Sequence, residues 1–280
     1  MTVNQILVDA VRRLTAAGVP EAAKDARILL AHTLGVDRSK LISLMNDDMT
    51  ADQRDRYDAL IMAREQRRPV SHLVGTREFY GRAFKVSGDV LDPRPDTETL
   101  IDVALAQPFG RVLDLGTGSG CILLTLLCEN ASATGVGVDA SRDALAVAAD
   151  NAQTLDVQAR SDFQLSDWFQ NVTGEFDLIV SNPPYISADE FHDLAPEVQR
   201  WEPKMALTPG GDGLDAYRHI AARAGAFLSA NGRIVLEIGP TQAEAVVGML
   251  SDAGFADVRV IKDINGRDRV VYGAKHANSS

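Results

Sequence analysis

No stretch of this chain stays apolar for the roughly 18 residues that a membrane-crossing helix requires, so no membrane association is expected. The first residues, Met1-Thr2-Val3-Asn4-Gln5, offer neither the basic start nor the apolar core of a secretion signal. Cysteine is scarce. The two present, Cys121 and Cys128, lie seven apart in one helical segment. They suit small core residues of a reducing compartment better than a disulfide framework or a thiolate cluster. The five histidines show no metal-ligand spacing, so no metal is expected. There is neither an internal repeat nor a low-complexity tract, which sets solenoid architectures aside. The expected location is the cytoplasm.

What is present is ordinary in bulk and uneven in distribution. The 280 residues suffice for one large or two modest domains, and 45% hydrophobic with 24% charged content suits a globular protein. The net charge is −11. Residues 1–82 hold 13 Lys/Arg against 11 Asp/Glu (+2), and residues 83–280 hold 15 against 28 (−13). An acidic main domain argues against tight phosphate-backbone binding, so no direct nucleic-acid contact is expected. The front segment is the better placed of the two for such contacts, although its plain reading is a solvated surface of mixed charge.

Up to residue 68 the pattern is helical. Val3, Ile6, Leu7, Ala10, Val11 and Leu14 recur at three- and four-residue spacing. Pro20 opens a second segment that stops at Gly35, a shorter one covers 40–45, and Thr50 with Gln53 forms a capping box ahead of a helix through Arg67. This predicts an N-terminal helical domain over 1–68. Glycines 75, 81 and 88 interrupt apolar residues from Val70 onward, which predicts a β-hairpin linker over 69–95. Strands and helices then alternate. Strands are expected at 112–115, 134–139, 163–165, 176–180, 232–238, 258–261 and 270–274, with helices at 97–105, 120–128, 142–152, 214–228 and 241–253. Alternation of this kind predicts an α/β domain over 96–275, with a mostly parallel twisted sheet between helices. A flexible tail is expected over 276–280.

The first clear strand runs into Asp114-Leu115-Gly116-Thr117-Gly118-Ser119-Gly120, and a helix follows. Glycines permit the sharp turn and the close approach of a ligand, while the helix start offers unpaired N–H groups. The next strand ends in Asp139, about 20 residues on, where an acid holds ribose hydroxyls in nucleotide-binding folds. Together these point to an adenosine-containing ligand at the carboxyl ends of the strands. The plain alternative for Asp139 is a helix N-cap or a solvated acid.

After the strand 176–180 comes Asn182-Pro183-Pro184-Tyr185. Prolines cannot continue a sheet ladder. Their carbonyls, the Asn182 side-chain oxygen and the flat Tyr185 ring are parts suited to holding a planar NH2 group and methylating it. A simple turn after a strand is the competing reading of Pro-Pro alone.

D-L-G-T-G-S-G, an acid after the second strand and N-P-P-Y after the fourth together resemble the class I S-adenosylmethionine-dependent methyltransferases, with a Rossmann-like sheet. More narrowly, the chain resembles the protein-(glutamine-N5) methyltransferases that modify peptide chain release factors. That resemblance runs from end to end: Arg77-Glu78-Phe79-Tyr80, Pro93-Arg94-Pro95-Asp96-Thr97-Glu98, Ser166-Asp167-Trp168-Phe169, Glu202-Pro203, Gly210-Gly211-Asp212-Gly213-Leu214 and Gly266-Arg267-Asp268-Arg269 all stand in the family's order. Asp92 departs from the apolar residue common before the Pro-Arg-Pro block. The resemblance implies S-adenosyl-L-methionine as cofactor and S-adenosyl-L-homocysteine as product. Gly116, Thr117, Gly118, Ser119 and Gly120 would line its methionine and ribose parts, Asp139 its ribose and Trp168 its adenine. The alternative for Trp168 is a core aromatic under the sheet edge. Arg94 and Glu98 would fix the linker.

The implied substrate is the glutamine in the GGQ loop of class 1 release factors; a monomer is expected, and because the site reads only a planar amide, the N-terminal helical domain is expected to recognise the partner. A glutamine methyltransferase of a large-subunit ribosomal protein is the near alternative, and an adenine-N6 methyltransferase the more distant one. In either amide reading, Asn182 Oδ1 and the Pro183 carbonyl accept the two N–H bonds while Tyr185 packs on the amide plane, and no residue stands out as a dedicated base.

Overall fold

The computed structural model describes residues 1–275, so the tail expected at 276–280 lies outside the described residues. The chain divides into two compact units, one of Met1–Thr76 with Ala195–Trp201, the other of Arg77–Leu194 with Glu202–Ser280.

The first unit is helical. It contains α1 (Val3–Ala16), α2 (Ala22–Leu34), α3 (Leu41–Leu44), α4 (Ala51–Glu65) and α5 (Val70–Val74), together with a later helix contributed by 195–201. Thr50 and Gln53 form the expected capping box, and Gly35 ends α2 in the left-handed conformation. A second capping box at Thr2 and Gln5, not anticipated from sequence, starts α1. Leu7, Leu14, Leu29, Leu30, Tyr57 and Ile61 form the buried centre. The expected hairpin linker needs correction at its start, because Val70–Val74 is helical. Pro69 precedes the helix, Gly75 ends it at φ 76°, and Val70, Leu73 and Val74 pack as one apolar stripe on this core. Their three- and four-residue spacing is a helix signal that the surrounding glycines obscured.

The second unit begins at Arg77, within a two-stranded ribbon of β1 (Thr76–Phe79) and β2 (Arg82–Lys85), the hairpin that the sequence does indicate. It continues through α6 (Glu98–Leu105), β3 (Arg111–Leu115), α7 (Cys121–Glu129), β4 (Thr134–Asp139), α8 (Arg142–Thr154), β5 (Ser161–Leu165) and β6 (Phe176–Ser181). The helix of the first unit, α9 (Pro196–Trp201), comes next in the chain. Then follow α10 (Lys204–Leu207), α11 (Asp215–Ala224), β7 (Leu228–Glu237), α12 (Ala243–Asp252), β8 (Phe255–Lys262) and β9 (Asp268–Lys275). The helix expected to reach 228 stops at Ala224, and Leu228 instead opens β7 by pairing with Phe176 of β6.

The seven-stranded sheet runs β5-β4-β3-β6-β7-β9-β8, parallel from β5 to β7, with β9 antiparallel to both its neighbours. Period-two alternation sends Val112, Leu178 and Val180 to one face, under α6 and α7, and Leu113 and Ile179 to the other, under α11 and α12. Free Cys121 and Cys128 pack on the first of these cores. The strand order reverses between β3, which leads outward to β4, and β6. That is the switch point where open α/β sheets hold ligands, outside the carboxyl ends of the strands.

Candidate active site

Leu115, the last residue of β3, pairs with Ser181, the last of β6, and the Ser181 hydroxyl donates to the Leu115 carbonyl at 2.6 Å. This register brings the glycine loop and Asn182-Pro183-Pro184-Tyr185 out of adjacent strands side by side.

The loop is tied down by its own backbone. Gly116 and Thr117 both donate N–H to the Val138 carbonyl at 2.9 Å, and Gly118 N–H donates to Asp139 Oδ2 at 2.9 Å. Gly116 and Gly118 take φ values of 70° and 54°, and a Cβ built on either meets no atom within 4 Å. These two positions therefore face open space, which is what a cofactor cradle requires. Beneath the loop, fully buried Asp114 accepts from the Thr117 hydroxyl at 2.7 Å. Burial pushes its carboxyl up to about 7.

Asp139 sits at the end of β4 as expected, and its other oxygen accepts Ser141 N–H at 2.9 Å. Burial holds its carboxyl above the usual range, opposed by these backbone donors. Ser141, not Asp139, caps α8; Asp139 braces the loop and the turn that leads into that helix, and its two oxygens keep lone pairs for further donors. Trp168 follows β5 with a left-handed backbone, φ 49°, and its carbonyl accepts from Ser166 Oγ at 2.8 Å. The half-buried indole packs against the core under α11, with its ring 6.4 Å from that of His219. In the glycine loop, Ser119 is buried just ahead of α7.

On the other side of the switch point, Pro183 is buried, and Asn182, Pro184 and Tyr185 are half-buried. Asn182 Nδ2 donates to Thr97 Oγ1 at 3.3 Å. The Tyr185 carbonyl accepts from Gln242 Nε2 at 2.9 Å, and Gln242 Oε1 takes Gly239 N–H at 3.0 Å. Burial raises the Tyr185 phenol to about 12, with Glu237, Arg269, Arg94 and Asp96 close enough to act on it. Arg94 and Glu98 hold the linker as expected. Arg94 pairs with buried Glu202 at 2.6 Å, and Glu98 Oε1 accepts Tyr80 N–H of the ribbon at 2.8 Å.

Three residues around the tetrapeptide were not identified from sequence: Thr97, Gln242 and Glu237. Thr97 stood inside the Pro-Arg-Pro block, where only its neighbours drew attention. Glu237 had a usable signal, an acid closing an otherwise apolar strand. Among the described residues there is no cluster suited to a metal ion, and no helix is long and apolar enough to cross a membrane.

Comparison with known proteins covers both units. Residues 5–75 match the PrmC N-terminal domain, and residues 86–214 match the methyltransferase small domain. A release factor glutamine methyltransferase of Cereibacter sphaeroides is 55% identical over 94% of each chain. One from Rhodospirillum rubrum is 42% identical over 95% of this chain and 82% of its own. Among solved structures, a methyltransferase from Pyrococcus furiosus shares the fold at a TM-score of 0.54 and 14% identity, over 78% of this chain and 98% of that one.

Proposed function

The chain belongs to the release factor glutamine methyltransferase family, and from that premise we propose that it methylates the side-chain amide nitrogen (N5) of the glutamine in the GGQ loop of class 1 release factors, with S-adenosyl-L-methionine as donor. The observation that supports this reading is the Leu115–Ser181 register, which sets the glycine loop beside Asn182-Pro183-Pro184-Tyr185.

The residues fit the donor. Gly116, Thr117, Gly118, Ser119 and Gly120 give a cradle open at two glycines, Asp139 has lone pairs for ribose hydroxyls, and Trp168 has a flat apolar face for adenine. When bound, S-adenosyl-L-methionine supplies an electrophilic methyl group on a sulfonium.

The protein's own task is orientation. A carboxamide nitrogen is a weak nucleophile because its lone pair is delocalised into the carbonyl. Asn182 Oδ1 and the Pro183 carbonyl accept the two N–H bonds of the substrate amide, and the nitrogen is thereby aimed at the donor. Tyr185 packs on the amide plane. As positive charge grows on that nitrogen its N–H bonds become stronger donors, so the acceptors stabilise the transition state more than bound substrate.

The test is one incubation of the purified chain and labelled cofactor with release factor, large-subunit ribosomal protein and oligonucleotides in parallel. Label is expected in the release factor, on glutamine. Label confined to either other substrate would overturn the reading.

A further inference from the structure

An asparagine amide has two ends of similar shape and opposite character, and half a turn exchanges acceptor for donor. If Asn182 reads the substrate amide as proposed above, on which this inference rests, only its oxygen end serves. A donor end would face the substrate NH2 with nothing to accept. Something must therefore fix which end points outward.

The structure supplies a chain of contacts behind Asn182. Its Nδ2 donates to Thr97 Oγ1, a hydroxyl on a residue only 2% exposed. That hydroxyl also acts on the carboxylate of Glu237, itself 1% exposed at the end of β7, and favours its ionised form. Ser181 pairs with Leu236, so the next residues on the two strands, Asn182 and Glu237, emerge as neighbours. A hydroxyl has a single proton. An ionised carboxylate only accepts, so Thr97 gives its proton to Glu237 and keeps lone pairs for Asn182. With Asn182 reversed, two oxygen atoms would meet with no proton between them.

We propose that Thr97 and Glu237 are positioning residues that lock the Asn182 amide with Oδ1 toward the substrate. The lock is complete only while Glu237 is ionised. A protonated Glu237 can donate to Thr97, whose own proton is then free to turn toward Asn182 and accommodate the reversed amide. Burial pushes the Glu237 carboxyl up to about 7. The groups acting on it are Arg94 and Asp96 ahead of α6, Cys121 at the start of α7, Tyr185 after β6, Tyr217 of α11 and Arg269 of β9. The lock therefore tightens as pH rises through neutrality.

Single-turnover methyl transfer to an intact release factor, measured on the full chain with cofactor affinity read by calorimetry, tests this. Thr97→Val keeps the shape and removes the hydroxyl. It is expected to slow transfer about 10- to 100-fold, the scale of a misaligned reacting group, with cofactor affinity unchanged, and Thr97→Ser is expected to restore most of the rate. In an Asn182→Asp background both carboxylate oxygens accept, so orientation ceases to matter and Thr97→Val should add no more than about a twofold loss. The wild-type rate should climb with pH through 7, and both Thr97→Val and Glu237→Gln should flatten that climb. A folded Thr97→Val chain as fast as wild type overturns the lock. So does a loss that is undiminished in the Asn182→Asp background, or a pH climb that survives Glu237→Gln. A wild-type chain that methylates no release factor would remove the methyltransferase reading and the lock with it, whereas an active wild type with indifferent variants removes the lock alone.

Discussion

Both oxygens of Asp139 already hold a backbone N–H, so its substitution tests two roles that must be separated. Asp139→Ala releases Gly118 and Ser141 and removes the proposed ribose contact, and should lose stability along with cofactor affinity. Asp139→Asn keeps one acceptor oxygen and is the cleaner probe. It should weaken cofactor binding by about 1.5–3 kcal/mol, the scale of a charge-assisted hydrogen bond, and calorimetry on the folded variant measures it. Unchanged affinity would leave Asp139 a brace only. Asn182→Ala should leave cofactor affinity within a modest factor while lowering single-turnover rate by orders of magnitude, since an acceptor aligned in the transition state is gone. A near-normal rate would remove the amide clamp. Glu237 carries a pH signature in stability too. Its folded-state value near 7 lies above the ordinary carboxylate range, so its favourable contribution is full at low pH and is lost as pH rises to about 7. Glu237→Gln should accordingly gain on wild type by about 2 to 3 kcal/mol between pH 5 and pH 8, read from urea unfolding at the two pH values.

Elements differ in how openly the sequence declares them, and the difference is physical. The Thr50 capping box and the β3–loop–α7 unit were legible because the side chains and dihedral freedoms that build them lie within a few residues of each other. Helix α5 was misread because five residues give too short a period to outweigh flanking glycines. The stretch between β6 and α11 yielded no elements in advance, yet holds a 3-10 turn at Glu190–Asp193 and two short helices. Such elements are fixed by what they pack on. Thr97 and Asn182 meet across 85 positions of chain, a contact no local pattern encodes. Gly213 shows the same dependence at the tetrapeptide. Its φ is +78°, and an added Cβ would lie 2.4 Å from the Tyr185 carbonyl oxygen. Backbone cannot yield as a side-chain tip does, so Gly213→Ala should push the strand-end loop out of place. Transfer is expected to fall about 100-fold, as for a reacting group displaced by an ångström, while the melting transition remains cooperative. Retained activity would mean that the loop tolerates the shift.

At the scale of the whole molecule, the uneven charge and the inserted segment 195–201 govern how substrate recognition can be tested. A tetrapeptide that reads only a planar amide, as proposed above, cannot by itself select one glutamine in one protein, so selection needs a second contact. The mildly basic first unit is the surface proposed for it. Deleting residues 1–68 would not test this cleanly. Glu197, from the inserted segment, accepts from Arg64 at 3.0 Å and from Arg67 at 2.7 and 2.8 Å, and truncation would strand its half-buried carboxylate. Point changes avoid that damage. Arg38 and Lys40 are exposed beside Ile42, an apolar side chain left 81% exposed, and substitution there removes no buried contact. Arg38→Glu with Lys40→Glu and Ile42→Asp should raise KM for a whole release factor about tenfold or more, equivalent to roughly 1.4 kcal/mol. The reversed charges should also alter the salt dependence of that KM. KM for a short glutamine peptide, which reaches only the second unit's site, should stay put. Equal changes on both substrates, or none on either, would take this surface out of recognition and leave the first unit a purely structural part.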